Sequence, residues 1–295
     1  MDYETLIESI HSVNAEQGIN LASLPHCSNL LYQLGKRDAS KLPYFITCCN
    51  TYLKMREPCI NIADIYGYVN NVTKVTNAYL DFFWPKTNNP FSHQADFTSS
   101  ILPEMLCILF NSIITLNKVD LEVSAQKDLI IESIFNVSNG GTIRFKYKKV
   151  DVSVTRPSTL MFNGTCSDMP IPLVAVECKT NLDKNMISGI EHSVSELKKS
   201  FPDCYYYVVS EVSDFDIMKS NYASSDIDEI FILRNQKRAT IRRDPTQRNP
   251  INSILVYEIV MKLMTSIKLL NDVALSIETK MQKGKLIGRT HSWQK

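Results

Sequence analysis

Apolar positions in the first 84 residues recur at helical spacing. Leu6, Ile10 and Val13 stand at i, i+4 and i+7, and residues 44–55 and 62–83 repeat the pattern. This predicts an N-terminal helical region, residues 1–96, with no chemical motif of its own and a DNA-binding or dimerisation role open to it. The segment 84–96, WPKTNNPFSHQAD, is rich in Pro and Asn and reads as a loop or domain boundary, with His93 an exposed loop histidine. The next stretch, TSSILPEMLCILFNSIITL, is apolar nearly all round, which predicts a buried helix capped by Ser99 or Ser100 with Pro103 in its first turn. Glu104 is its one charge between Ile101 and Leu116. It either complements the helix dipole, worth about 0.3–1 kcal/mol, or faces a polar site.

The period then changes from helical to twofold. After a loop and the turn SNGG, Thr142, Arg144 and Lys146 alternate with Ile143, Phe145 and Tyr147. This half-buried strand continues or turns through Lys148 and Lys149 into residues 150–155. Alternation there puts Val150, Val152 and Val154 on one face and Asp151 and Ser153 on the other. The stretch 172–184, PLVAVECKTNLDK, opens as a strand covered on both faces and then breaks that rule with Glu177 and Lys179. Two residues apart on a strand, the carboxylate and the ammonium point the same way. Desolvating such groups costs several kcal/mol each by order of magnitude, so they need each other, a metal or a solvent-filled cleft. Asp183 and Lys184 follow, either bracing a site or capping the next helix.

Residues 188–200 carry an apolar stripe of Ile190, Val194 and Leu197, an amphipathic helix, and CYYYVVS at 204–210 is a strand. Strand, helix, strand implies a right-handed parallel crossover. DEIFILR at 228–234 adds a strand, and residues 251–270 form a further amphipathic helix.

Composition alters this picture little. The 295 residues are 44% hydrophobic and 21% charged, the profile of a globular domain or two, and Lys plus Arg at 32 against Asp plus Glu at 31 gives a net charge of +1. Any nucleic-acid contact must therefore be local. The eight cysteines show no C-x-x-C pair or Cys/His cluster, which predicts reduced thiols rather than a disulfide framework or zinc site. Acidic residues at the N-terminus and the lack of a long uncharged apolar run predict a cytoplasmic protein without a membrane span. The local basic signals are the segment with Arg234, Gln236, Lys237, Arg238, Arg242, Arg243 and Arg248, and a tail with Lys280, Lys283, Lys285, Arg289 and Lys295. Arg234, Gln236 and Arg238 alternate as an edge strand does; Arg and Gln also read base edges.

A buried helix with Glu104, a strand with Asp151, a core strand with Glu177-Cys178-Lys179, an amphipathic helix and a parallel strand resemble, in that order, the PD-(D/E)XK nuclease core. Val150-Asp151 stands where the family has Pro-Asp. The words VECKTNLDKNM, YYVVSE and FILRNQKR are similar to restriction endonucleases related to BbvCI and its heterodimeric relatives, over roughly residues 97–250. The resemblance implies a mixed α/β sheet flanked by helices, an endonuclease domain at 97–295, and Mg2+-dependent cleavage of duplex DNA at a specific sequence by a homodimer or by one subunit of a heterodimer. It implies metal ligation by Asp151, Glu177 and the Cys178 backbone carbonyl, a catalytic Lys179, and Glu104 as the first-helix acid. The competing expectations are a catalytically silent DNA-binding or partner subunit, a repair or recombination nuclease of the same fold, and a surface ion pair in an unrelated α/β protein.

Overall fold

The computed structural model describes residues 1–60, 62–84, 91, 96–136, 142–222, 224–270, 281–282 and 284. Four helices open it, α1 (Tyr3–Gln17), α2 (Pro25–Gly35), α3 (Leu42–Arg56) and α4 (Ile65–Phe83). Their ends follow local chemistry. Asp2 caps α1 by accepting the Thr5 N–H at 2.9 Å, and Gly18 closes it at φ 61°, where a residue without Cβ is unstrained. Asp64 caps α4 through the Gly67 N–H at 2.7 Å. A Cβ on Gly67 would stand 2.0 Å from that carboxylate, so the cap requires glycine there.

The one-turn α5 (Asp96–Ser99) leads into α6 (Ile101–Asn117). Then come β1 (Glu122–Asn136), β2 (Thr142–Arg156), a small hairpin of β3 (Thr159–Phe162) and β4 (Thr165–Asp168), β5 (Ile171–Leu182), α7 (Lys184–Ser200), β6 (Tyr205–Ser213), β7 (Glu229–Ile232), α8 (Arg238–Arg243) and α9 (Ser253–Leu270). The main sheet runs β1-β2-β5-β6-β7. Its first three strands are antiparallel and β5-β6-β7 are parallel, joined across α7 by the crossover read from the sequence.

Two apolar layers enclose the sheet. Val152, Val154, Val174, Val176, Tyr207 and Val209 pack into one core with the N-terminal helices, α6 and α9. Val150, Ala175, Tyr206 and Val208 pack into the other with α7. The N-terminal helices thus share a core with the sheet. Residues 97–117 are long and apolar enough to cross a membrane by length and composition, with Glu104 among them; 72% of that window is buried in protein.

Three expectations are corrected. The stretch before SNGG, read as a loop, is mostly β1, whose alternation is hidden because Gln126 takes a left-handed backbone at φ 51°. Val123 and Ala125 face the helical core, whereas Leu129 and Ile131 face the α7 core. The neighbouring strand exchanges faces at the same level, so Val150 is parted from Val152 and Val154, although β2 is one continuous strand. Finally, β7 ends at Ile232, and Asn235 turns the chain at φ 43° into α8, so Arg234, Gln236 and Arg238 are not an edge strand.

Candidate active site

Paired positions between β2 and β5 stop at Val152↔Val176. The next two residues, Asp151 and Glu177, stand where the strands part, and the parted backbone is used by side chains. Asp151 Oδ2 accepts the Cys178 backbone N–H at 2.8 Å, a donor freed from the ladder. Asp151 Oδ1 accepts from Gln126 Nε2 at 2.8 Å. The left-handed conformation of Gln126, uncommon for a residue with a Cβ, therefore coincides with a side chain aimed at the carboxylate.

Glu177 is 8% exposed and has three polar neighbours. Its Oε1 accepts from Lys179 Nζ at 2.8 Å. Its Oε2 accepts from the Tyr206 hydroxyl at 3.1 Å and lies 3.4 Å from Lys148 Nζ. Lys148 reaches this face because of the exchange between Val150 and Asp151; unbroken alternation would send it away. Gln126, Lys148 and Tyr206 were missed by the sequence reading. The only signal for Tyr206 was its place on the strand parallel to β5.

The electrostatics separate the two acids. Burial raises the Asp151 carboxyl above its ordinary value, and the Glu177 charge raises it further. Burial acts the same way on Glu177, but Lys179, Lys148 and the Tyr206 hydroxyl overcome it and hold Glu177 below its ordinary value. Lys179 loses from burial and gains more from Glu177 and Asp151, so its ammonium is held above the usual range. The Cys178 thiol, on the opposite face, is pushed well up by burial and is no nucleophile.

Among the described residues no three or more His, Cys, Asp or Glu side chains converge as a metal cluster. Asp151 and Glu177 nevertheless fit a hard divalent cation. They are oxygen donors of like charge where β2 and β5 part, and such ions take their remaining ligands from water, phosphate or backbone carbonyl.

The other predicted residues lie elsewhere. Glu104 is fully buried, its Oε2 accepting the Cys27 N–H and its Oε1 the Tyr52 hydroxyl, each at 2.7 Å. It is thus held by α2 and α3 within the helical core, on the other side of the sheet from the Tyr206 that bonds Glu177, and the structure does not bring it to Asp151 and Glu177 as the expected first-helix acid. Arg234 is corrected likewise. It is 2% exposed and donates to Glu211 at 2.9 Å, Asn77 at 2.9 Å and the Asn249 carbonyl at 2.6 Å, tying β6 to α4 and the chain before α9. Gln236 closes a loop, donating to the Gln247 carbonyl at 2.5 Å and accepting the Asn249 N–H at 3.0 Å. Lys237 pairs with Asp216 at 3.3 Å, and Arg238 donates to Asp214 at 2.9 Å. Arg248 stacks on Trp84, 4.4 Å from the ring centre. Arg242 and Arg243 are the α8 arginines that are exposed and form no ion pair among the described residues, with Asp244 next in the chain. Asp183 caps α7 through the Met186 N–H at 2.8 Å. The SNGG turn, His93 and the basic tail residues Lys280, Lys283, Lys285, Arg289 and Lys295 lie outside the described residues.

The architecture is similar to a solved structure described as the native A2B2 tetramer of BbvCI, with a TM-score of 0.68 at 20% identity over 85% of this chain and 98% of that one. At that identity the likeness shows the fold, a mixed sheet flanked by helices with an N-terminal helical region. A comparison with curated protein sequences gave no match. The model of the Bpu10I restriction endonuclease family matches residues 94–284, which contain α6, the whole sheet, Asp151, Glu177 and Lys179. The chain belongs to the Bpu10I restriction endonuclease family.

Proposed function

We propose that Asp151, Glu177 and Lys179 form the centre that hydrolyses the DNA phosphodiester, with Mg2+ as the divalent cation. The observation that carries this reading is the meeting of Asp151 and Glu177 at the parting of β2 and β5, with Lys179 bonded to Glu177 at 2.8 Å. A cation bound there supplies charge neutralisation at the scissile phosphate and lowers the pKa of attacking water. Asp151 and Glu177 would hold it, with the Cys178 backbone carbonyl a third donor. Gln126 fixes the Asp151 carboxylate from one side and the Cys178 N–H from the other, so its oxygens are oriented before substrate arrives. Before a cation binds, Glu177 and Asp151 outweigh burial and hold the Lys179 ammonium above its usual range. As an ammonium it has three N–H groups, of which Glu177 takes one, so the others are left to donate to the attacking water or the phosphate oxygens.

One such centre cuts one strand, so duplex cleavage takes two protomers or two different subunits. The A2B2 assembly named for the BbvCI structure supports a paired arrangement here. The test is incubation of the purified protein with supercoiled plasmid and Mg2+. Linear product supports two centres acting together, and nicked product supports one centre whose partner is a different chain. No cleavage with Mg2+ or Mn2+, alone or with a related subunit, overturns the proposal in favour of a silent partner subunit.

A further inference from the structure

Beyond the site, β1 and β2 continue as a two-stranded ribbon from Glu132↔Lys146 to Asn136↔Thr142. Its faces are unlike. Phe145 and Tyr147 lie together on one face with ring centres 6.3 Å apart, and Phe135 meets Phe162 of β3 at 6.0 Å. The other face is marked by Lys148, whose ammonium reaches Glu177 at 3.4 Å. Alternation along β2 then puts Lys146 and Arg144 beside Lys148, one cation about every 6.8 Å leading outward from the site.

We infer that this face of the ribbon, through Arg144 and Lys146, grips the phosphates of the duplex flanking the bond to be cut. Charge complementarity and continuity with Glu177 identify the occupant. Arg144 is exposed and has no acid partner among the described residues. Among the described residues Lys146 forms one ion pair, with Glu132 at 3.5 Å between side chains 55% and 49% exposed, and its charge also acts on Glu196 of α7. A pair so exposed is weakly held and yields readily to a phosphate. The shape also suits the partner, since the major groove admits a two-stranded ribbon and the phosphates bordering it lie within reach of its long cationic side chains. The inference rests on the proposed nuclease reading and adds to it the surface that holds DNA in place.

The experiment is the salt dependence of binding to a labelled duplex of mixed sequence, without divalent metal, using the full chain. Arg144→Gln with Lys146→Gln is expected to flatten log affinity against log salt by about 1.8, at about 0.9 for each phosphate left without its cation. Arg144→Lys with Lys146→Arg should keep the wild-type slope. Lys149→Gln, on the opposite face, should leave it unchanged. Should the double variant melt early, each single variant carries the test at about 0.9. An unchanged slope in a variant that melts normally overturns the inference while plasmid cleavage by wild type leaves the nuclease reading standing. An equal effect from Lys149→Gln overturns the assignment of faces. If wild type neither binds duplex nor cuts plasmid with Mg2+, both readings fall.

Discussion

Glu104 and the Asp151–Glu177 pair both set carboxylates into the interior, and their surroundings differ. Glu104 has no exposure, and burial raises its carboxyl above the ordinary value. It answers to one N–H and one hydroxyl, and the Tyr52 hydroxyl also accepts from Arg56 at 2.8 Å, so the network closes within the helical layer. Asp151 and Glu177 are a pair: burial and then the Glu177 charge raise the Asp151 carboxyl, whereas Lys179 and Lys148 overcome burial at Glu177 and hold it below its ordinary value. Glu104 is a lone acid held by two neutral donors, a brace between α6 and the helices α2 and α3. Asp151 and Glu177 also have a donor on each oxygen, but they are two neighbouring acids, with the ammonium groups of Lys179 and Lys148 on Glu177, and a bound cation would take over part of that charge balance.

The sharpest way to break this comparison is to remove each acid and ask what is lost. Asp151→Ala or Glu177→Ala is expected to abolish cleavage, by more than the roughly 10–100-fold of an outer-shell change, while duplex binding survives. Wild-type turnover by either at ordinary Mg2+ would sink the assignment. For Lys179→Ala a fall of about 10²–10³ in the single-turnover rate is expected, the scale of one lost transition-state donor, with melting temperature nearly kept. A variant that unfolds but whose folded fraction cuts normally would make Lys179 structural.

Gln126 separates stability from activity within one residue. Gln126→Gly relieves a left-handed backbone and frees Asp151 Oδ1, so the melting temperature should hold or rise as cleavage falls about 10–100-fold. Unchanged cleavage would show that the bond to Asp151 is incidental.

At the other acid the expectation reverses. Glu104→Ala strands the buried Cys27 N–H and Tyr52 hydroxyl, at about 1–3 kcal/mol for each group, and the protein that remains folded should cut normally. The sign with pH follows from the raised carboxyl. The folded state holds the Glu104 proton more tightly than the unfolded chain, so this contribution is full below the unfolded value and is lost as pH rises through the folded one. Glu104→Gln should remove that dependence from urea denaturation compared across acidic to neutral pH. A pH profile parallel to wild type would mean that Glu104 does not titrate over that window. The smallest effect belongs to Arg242 and Arg243, exposed on α8. Neutralising both should flatten the salt slope of binding by up to about 0.9 each, and no change would make them solvated surface.

The chain announced much of this by itself. Glu177 and Lys179 follow an apolar strand too closely to be accidental in face, because the twofold period of a strand leaves them no other choice. The β5–α7–β6 crossover and the buried helix α6 were legible for the same reason, as periodicity is local. Three things were decided only by the fold. The change of faces at Gln126 and Val150 is set by the pairing of two strands, and it brought Lys148 to Glu177 against the pattern of its own strand. Glu104 looked like a site acid because a lone charge in an apolar helix says only that it needs partners; Cys27 and Tyr52, distant in sequence, are those partners. Arg234 looked like a reader of DNA because sequence counts charges without their neighbours, and it is Glu211, Asn77 and the Asn249 carbonyl that hold it inside. A side chain's type and period are written in the chain, but whether its charge is already satisfied is a property of the packed structure.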